Sequence, residues 1–175
     1  MEEQRTFLRI PTNLRGRVRI AATGTELQLF REAPITSTTV SAMDLRSSGL
    51  HEGLVNALLA MDHKLDLLIG IHAQDSLQSD FPHVVEIIEI SGAGVKLVCD
   101  APRLEVGQYL ELVITLTQLP IRMAGALGRL VREEIIDGRR VLAFDFEKIR
   151  DRDLESIVQF VFQTQRDELR VKKWE

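Results

Sequence analysis

The chain has 175 residues, of which 45% are hydrophobic and 27% are charged. This composition excludes a mainly disordered protein, because enough apolar surface is present to form a core, and the length fits one domain. The single cysteine, Cys99, excludes a disulfide framework and a multi-cysteine zinc site. A net charge of −4 argues against a general nucleic-acid coat protein, so we expect no nucleic-acid partner.

The charge is unevenly distributed along the chain. Residues 1–20 contain five arginines and two glutamates and carry a net charge of +3, although the whole chain carries −4. Residues 40–80 contain six acidic and two basic side chains, so they do not form a polyanion-binding surface. A basic N-terminal segment on an acidic protein is the first functional clue.

The first residues are acidic and lack the apolar core of a signal peptide. Apolar runs such as Leu67 to Ile71 are far shorter than the ~20 residues needed to cross a bilayer. We therefore expect a cytoplasmic protein with no membrane insertion, and a single reduced cysteine suits that compartment.

The N-terminal part of the chain predicts extended structure. Pro11 disfavours a helix in the residue before it, so residues 1–11 are expected to be extended. Apolar and basic side chains alternate in Leu14 to Ile20, which is typical of a strand with one wet face. Residues 21–39 are predicted to be a loop with a short strand at Glu26 to Phe30.

Residues 40–80 have a helical pattern instead. Apolar positions recur alternately three and four residues apart, which predicts a helix of about twenty residues or slightly more with Ser48 as its N-cap. The repeating positions form a heptad seam, whose five central residues are the candidate oligomer interface: Leu54, Leu58, Met61, Leu65 and Leu68. His51 and His72 continue the seam at its two ends.

The seam is wider than the two positions of a dimeric coiled coil. Val55, Leu59 and Ile69 extend it on one flank, which favours a bundle with several neighbouring helices. The alternative is that this helix packs on the barrel of its own chain.

From residue 83 the pattern is typical of β-structure again. We predict strands at Val84 to Ile90, Val95 to Cys99, Tyr109 to Leu116, Arg122 to Glu134 and Arg140 to Phe146, and a final helix at residues 152–170. Asp137-Gly138 is a strong hairpin signal. The order predicts a mainly β fold with α: a small antiparallel β-barrel with a long helical insertion after the first strand and a C-terminal helix.

This order also predicts the organisation of the chain. Residues 1–20 form an N-terminal arm and the first barrel strand. Residues 21–82 are a helical insertion for oligomerisation. Residues 83–175 complete the barrel and add the last helix, within one domain overall.

Two arginines four residues apart, Arg5 and Arg9, form the first candidate binding group. In an extended segment their side chains point the same way. A guanidinium group suits phosphate through its bidentate fork, and its flat face stacks on a base. Alone this spacing is weak evidence, because surface arginines near a terminus are usually only solvated.

The second candidate group is Glu89, Ser91 and Gly94, between two β runs. A carboxylate can accept two hydrogen bonds from the donor edge of guanine, and a serine hydroxyl can add a polar contact. Gly94 permits a positive φ and a close approach of a ligand to the backbone. The alternative is a glycine-rich turn that only joins two strands.

Together, and in this order, the two groups resemble the PilZ domain, the bacterial receptor family for cyclic di-GMP. Its signature pairs RxxxR ahead of the first barrel strand with D/N-x-S-x-x-G in a later strand-turn. The resemblance covers residues 4–20 and 83–170. It implies that the two arginines contact phosphates and stack on guanines, while the second group holds a guanine. Glu89 and Gln4 depart from the family, which has Asp or Asn at the first position and often a further arginine at the second.

The insertion is similar to that of an atypical, tetramer-forming subgroup of PilZ proteins. The resemblance implies a homo-oligomer, with a tetramer favoured and a dimer possible.

The sequence contains no HExxH, GxSxG or Walker loop and no plausible nucleophile–base pair, so we expect neither an enzyme, nor a metal, nor a cofactor. The expected function is a cyclic di-GMP receptor or adaptor that changes conformation and signals to an unidentified protein partner. The alternative is an oligomeric PilZ-like scaffold that has lost or weakened cyclic di-GMP binding.

Overall fold

The structure is a computed structural model that describes residues 7–31 and 41–172, with Lys172 described by its backbone only. Within these ranges the elements are β1 (Arg9–Ala21), α1 (Ala42–Ser47), α2 (Glu52–Asp80), β2 (His83–Ser91), β3 (Gly94–Val98), β4 (Tyr109–Gln118), β5 (Ile121–Ile136), β6 (Arg139–Ile149) and α3 (Asp151–Lys172).

The strands form a closed antiparallel barrel in the order β1-β2-β3-β6-β5-β4, with β4 pairing back onto β1. Alternating side chains of each strand point inward, so apolar residues such as Val18, Ile87 and Leu97 are fully buried. The helix α3 adds Ile157 and Val161 to the same core. The predicted fold class, a small barrel with a helical insertion after β1 and a C-terminal helix, is confirmed.

The predicted hairpin joins β5 and β6. Asp137 and Gly138 have φ values of 50° and 76°, as a two-residue type I′ turn requires. The turn fixes the pairing of Ile136 with Arg139 and thereby the register of β5 and β6 from the turn to Arg132.

The first strand is longer than predicted, because Pro11 lies within it at a position where the register with β2 shifts. The predicted short strand at Glu26 to Phe30 is wrong, since these residues form no regular element. Instead, the backbone N–H groups of Leu29 and Phe30 donate to the buried carboxylate of Glu111 at 3.0 and 2.9 Å. The side chain of Arg19 donates to the same carboxylate at 2.8 Å.

The long helix α2 begins later and ends later than predicted. Ser48 is not its N-cap but the C-cap of the short helix α1, which the sequence did not predict. The N-cap is His51, whose Nδ1 accepts from the backbone N–H of Gly53 at 3.1 Å. Gly49, with a φ of 77°, separates the two helices.

One face of α2 packs on the barrel near its C-terminal end. Leu77 and the following Phe81 are buried in a second apolar cluster with Val113, Ile121 and Met123. The heptad seam lies on another face and is exposed, with Leu58 at 38% and Leu68 at 63%. Packing on its own barrel therefore does not account for the seam. Among the described residues, no helix combines the length and the apolar character needed to cross a membrane.

Candidate functional site

The pairing of β1, β2 and β3 brings the two sequence motifs together. Arg9 lies opposite Ser91, and Pro11 lies opposite Glu89. Gly94 opens β3 immediately after the turn that joins it to β2. The barrel register thus closes a sequence gap of about eighty residues.

The motif residues line one pocket with a volume of about 170 Å³. The structure brings together four of the five predicted binding residues, Arg9, Glu89, Ser91 and Gly94, on its wall. Arg5, the fifth, lies outside the described residues.

Arg9 and Glu89 face each other across β1 and β2. The distance from Arg9 Nη1 to Glu89 Oε1 is 3.8 Å, and the two side chains are 44% and 32% exposed. This distance is longer than that of a hydrogen bond, and so exposed an ion pair contributes little to stability. Both charged groups are therefore accessible to a ligand.

Ser91 holds the turn that follows β2. Its hydroxyl donates to the carbonyl of Gly94 at 3.1 Å and accepts from the backbone N–H of Ala93 at 3.2 Å. A hydroxyl has one donor and two acceptor positions, so one acceptor position remains for a ligand. The residue is only 4% exposed, and its observed role is to fix the shape of the turn between β2 and β3.

The requirement for glycine at position 94 has another cause than the sequence suggested. Its φ is not positive, and a Cβ there would collide with the carbonyl oxygen of Phe144 on β6. The strand β6 therefore occupies the space that a side chain would need. The neighbouring Gly92 lies against the ring of Phe7, which a Cβ at position 92 would displace. Phe7 thus lies on the turn between β2 and β3, a contact that the sequence did not predict.

Two further cations line the pocket and were also missed, because they belong to neither motif. Lys96 on β3 and Arg132 on β5 lie on opposite sides of the small Ala143 on β6. Both bind Glu134, with Lys96 Nζ at 3.0 Å from Oε2 and Arg132 Nε at 2.6 Å from Oε1. The hydrogen bond from Lys96 is the largest cause that lowers the pKa of the Glu134 carboxyl.

Other chemistry-bearing groups do not converge. The described residues contain no cluster of three or more His, Cys, Asp or Glu side chains able to hold a metal ion. Cys99 is partly buried with its Sγ 3.5 Å from the carbonyl oxygen of Pro102, and burial raises the pKa of its thiol. A raised pKa disfavours the thiolate form that a nucleophilic cysteine needs.

The seam of α2 is the second candidate site. Its five predicted interface residues are all exposed: Leu54, Leu58, Met61, Leu65 and Leu68. Leu67 and Ile71, on a neighbouring face, are 41% and 58% exposed as well. Exposed apolar surface of this extent on one helix indicates an interaction site.

Comparison with known proteins places this geometry in context. A sequence model of the PilZ domain matches residues 64–163, which is more than half of the chain. That range includes Glu89, Ser91 and Gly94 but not Arg9. A comparison with curated protein sequences gives no match.

Among solved structures, the inhibitor of motility MotI/DgrA from Bacillus subtilis has a TM-score of 0.54 at 12% identity. The alignment covers 94% of this chain and 53% of that one, so this chain spans about half the length of MotI/DgrA. A PilZ protein from Xanthomonas campestris, described as a tetramer self-assembled via an unusual helical bundle, has a TM-score of 0.53 at 14% identity. That alignment covers 94% of this chain and 92% of the other. Both likenesses concern the fold.

A third similar structure is the PilZ domain with c-di-GMP of YcgR from Escherichia coli, with a TM-score of 0.40 at 12% identity. The alignment covers 52% of this chain and 78% of that one.

Proposed function

The chain belongs to the PilZ domain family, and from this premise we propose that it is a receptor for cyclic di-GMP. The observation that carries the proposal is the convergence of Arg9, Glu89, Ser91 and Gly94 on one pocket from separate strands. A glycine-rich turn that served only to connect β2 and β3 would not need two charged, solvent-accessible side chains beside it.

The ligand chemistry fits the groups on this wall. Cyclic di-GMP carries two phosphates and two guanines. The guanidinium of Arg9 offers a forked donor to a phosphate. The carboxylate of Glu89 offers two acceptor oxygens to the N–H groups on the guanine edge. Arg5 is assigned the same role as Arg9 by the family resemblance.

Binding at this pocket would act on the N-terminal arm. Phe7 precedes Arg9 by two residues, and its ring already lies on Gly92 in the turn between β2 and β3. A ligand held by both Arg9 and the turn fixes the arm more firmly against the barrel. The resulting change of surface is the signal that an unidentified protein partner reads, and no reaction is catalysed. We assign this receptor to the bacterial cytoplasm.

We also propose that α2 assembles the chain into a homotetramer. The seam and the additional face at Leu67 and Ile71 together are broader than a dimer contact needs, which suits a helix with two or more neighbours. The described tetramer from Xanthomonas campestris, a structural neighbour, supports this assembly. In this proposal residues 21–82 are an assembly element added to a barrel built from residues 1–20 and 83–175, and a dimer is the alternative outcome.

A second candidate function is an oligomeric scaffold with weakened ligand binding. The ion pair between Arg9 and Glu89 favours it, because each group partly neutralises the other. Glu89 also carries one methylene more than the Asp of the family signature, which moves the carboxylate by ~1.5 Å.

Isothermal titration calorimetry separates the two candidates. We expect the full chain to bind cyclic di-GMP more tightly than cyclic di-AMP. The adenine edge lacks the two adjacent N–H donors of guanine, from which the Glu89 carboxylate would accept hydrogen bonds. If cyclic di-GMP gives neither heat nor competition with a labelled analogue at high micromolar concentration, the receptor proposal is wrong and the scaffold stands.

A further inference from the structure

The pocket has a second cationic wall that belongs to neither signature motif. Lys96, Ala143 and Arg132 lie side by side on β3, β6 and β5, because Ala143 pairs with Lys96 on one edge and with Arg132 on the other. With neighbouring strands about 4.8 Å apart, the backbones of the two cations are separated by roughly 10 Å. All three residues line the pocket that contains Arg9.

The middle position of this row shapes the space. Ala143 is 7% exposed and its side chain is only a methyl group, so the space above it, between the two cations, is open. The side chain of Arg132 is 55% exposed, so its guanidinium group can reach into this space. A longer side chain at position 143 would fill the gap between the two cations.

The charges on this wall are not fully balanced. Lys96 and Arg132 share the single carboxylate of Glu134, which leaves an excess of one positive charge there. By contrast, Arg9 faces one carboxylate of its own, Glu89. The remaining carboxylate of the pocket, Asp145, lies opposite Gly94, two residues along β6 from Ala143 and closer to the turn between β2 and β3.

We propose that Arg132 is a further ligand-binding residue, which contacts a phosphate of the bound cyclic dinucleotide from the side opposite Arg9. This inference rests on the proposed function. A ligand with two phosphates gains from cations on two walls, and an arginine binds phosphate through its planar fork better than a lysine does. Arg132 would also supply a cation that Gln4 does not provide in the N-terminal arm.

The test compares two arginines on the same strand. Arg129 is also on β5, has a similar exposure of 47% and also binds a glutamate, Glu147 at 3.3 Å. It does not line the pocket. Substitution of either arginine thus removes one exposed, ion-paired guanidinium from β5, and only Arg132 lines the pocket.

We expect R132A to weaken cyclic di-GMP binding tenfold or more by calorimetry, and R129A to stay within twofold of the unmodified chain. Arg132→Gln keeps most of the side-chain stem and removes the charge, so its loss of affinity should match that of R132A at low salt. At high salt the difference in cyclic di-GMP affinity between R132Q and the unmodified chain should become smaller, because salt screens the contact between Arg132 and the phosphate. A merely structural effect would not depend on salt in this way.

Two results overturn the proposal and are distinguishable. If the unmodified chain binds and R132A and R132Q bind within twofold of it, Arg132 makes no ligand contact and the proposed function survives. If the unmodified chain does not bind cyclic di-GMP, the proposed function falls and this inference falls with it.

Discussion

Arg9 and Glu89 lie on adjacent strands with their charged groups 3.8 Å apart, so the phosphate-binding and guanine-binding groups of the proposed site pair with each other. A ligand phosphate therefore competes with Glu89 for Arg9. Because Arg9 is exposed and Glu89 is partly exposed, water and salt screen this pair and the competition is weak.

The length of the residue 89 side chain should tune ligand affinity. We expect E89D to bind cyclic di-GMP severalfold more tightly than the unmodified chain. The shorter side chain moves the carboxylate away from Arg9 and gives it the side-chain length of the Asp in the family signature. E89Q should bind more weakly, since an amide oxygen cannot replace a carboxylate that accepts two guanine N–H groups. Calorimetric titration measures both. Equal affinities of E89D, E89Q and the unmodified chain would exclude a ligand contact by residue 89.

The contact between Phe7 and Gly92 should position the arm. F7A removes the ring, and G92A introduces a methyl group where the ring lies, so each should weaken cyclic di-GMP binding severalfold. The double variant should be no weaker than either single one, because both changes break one contact. Stability should change little, as Phe7 is 39% exposed.

Leu8 provides the matched control for this experiment. It is the next residue of the arm and is 40% exposed. L8A should leave the affinity unchanged. Additive losses in F7A and G92A, or an equal loss in L8A, would show that the ring does not hold the arm through Gly92.

The exposed seam of α2 should carry the assembly. Replacing Leu58 and Leu65 with glutamate places like charges on neighbouring helices of a bundle and should convert the oligomer to a monomer, as measured by light scattering. I135E is the control, because Ile135 is an apolar side chain with 68% exposure that lies on the β5–β6 hairpin. A monomeric unmodified chain, or an unchanged mass of the double variant, would contradict the assembly.

The buried carboxylate of Glu111 should be important for stability. It is fully buried and accepts hydrogen bonds from Arg19, Leu29 and Phe30. E111Q removes one of the two counter-charges of the partly buried Arg19, which keeps Glu26, and turns an amide NH2 group toward buried donors. It should cost about 3 kcal/mol in the free energy of unfolding, from urea titration.

E147Q is the control for the buried pair, because Glu147 forms an exposed ion pair with Arg129. E147Q should lower the free energy of unfolding by less than about 1 kcal/mol, measured at the same protein concentration as E111Q. Similar costs for E111Q and E147Q would mean that the segment at Leu29 and Phe30 is held by other contacts.

Local patterns in the sequence predicted most of the barrel. Alternating residues marked its strands, and Asp137-Gly138 marked the hairpin because two successive positive φ values favour these residue types. The start of α2 was missed because Ser48 is a residue type that favours helix N-caps, whereas it caps the end of α1 and the positive φ of Gly49 separates the two helices. His51, predicted as the end of the seam, became the cap instead.

The features that the sequence did not predict depend on contacts between distant segments of the chain. Glu111 occupies an ordinary alternating position of β4, and only the return of the chain at Leu29 and Phe30 buries it. Likewise, Arg132 enters the pocket through the pairing of β5 with β6, which no motif encodes. Glu89 and Ser91 were found because a family signature preserves their spacing.

The most direct test of the central claim is a calorimetric titration of cyclic di-GMP into the unmodified chain, R9A and R15A. Arg15 is an exposed arginine on the same strand but does not line the pocket. The account predicts binding by the unmodified chain, a loss of tenfold or more in R9A, and an affinity within twofold of the unmodified value in R15A. No binding by the unmodified chain, or equal binding by R9A, would contradict it.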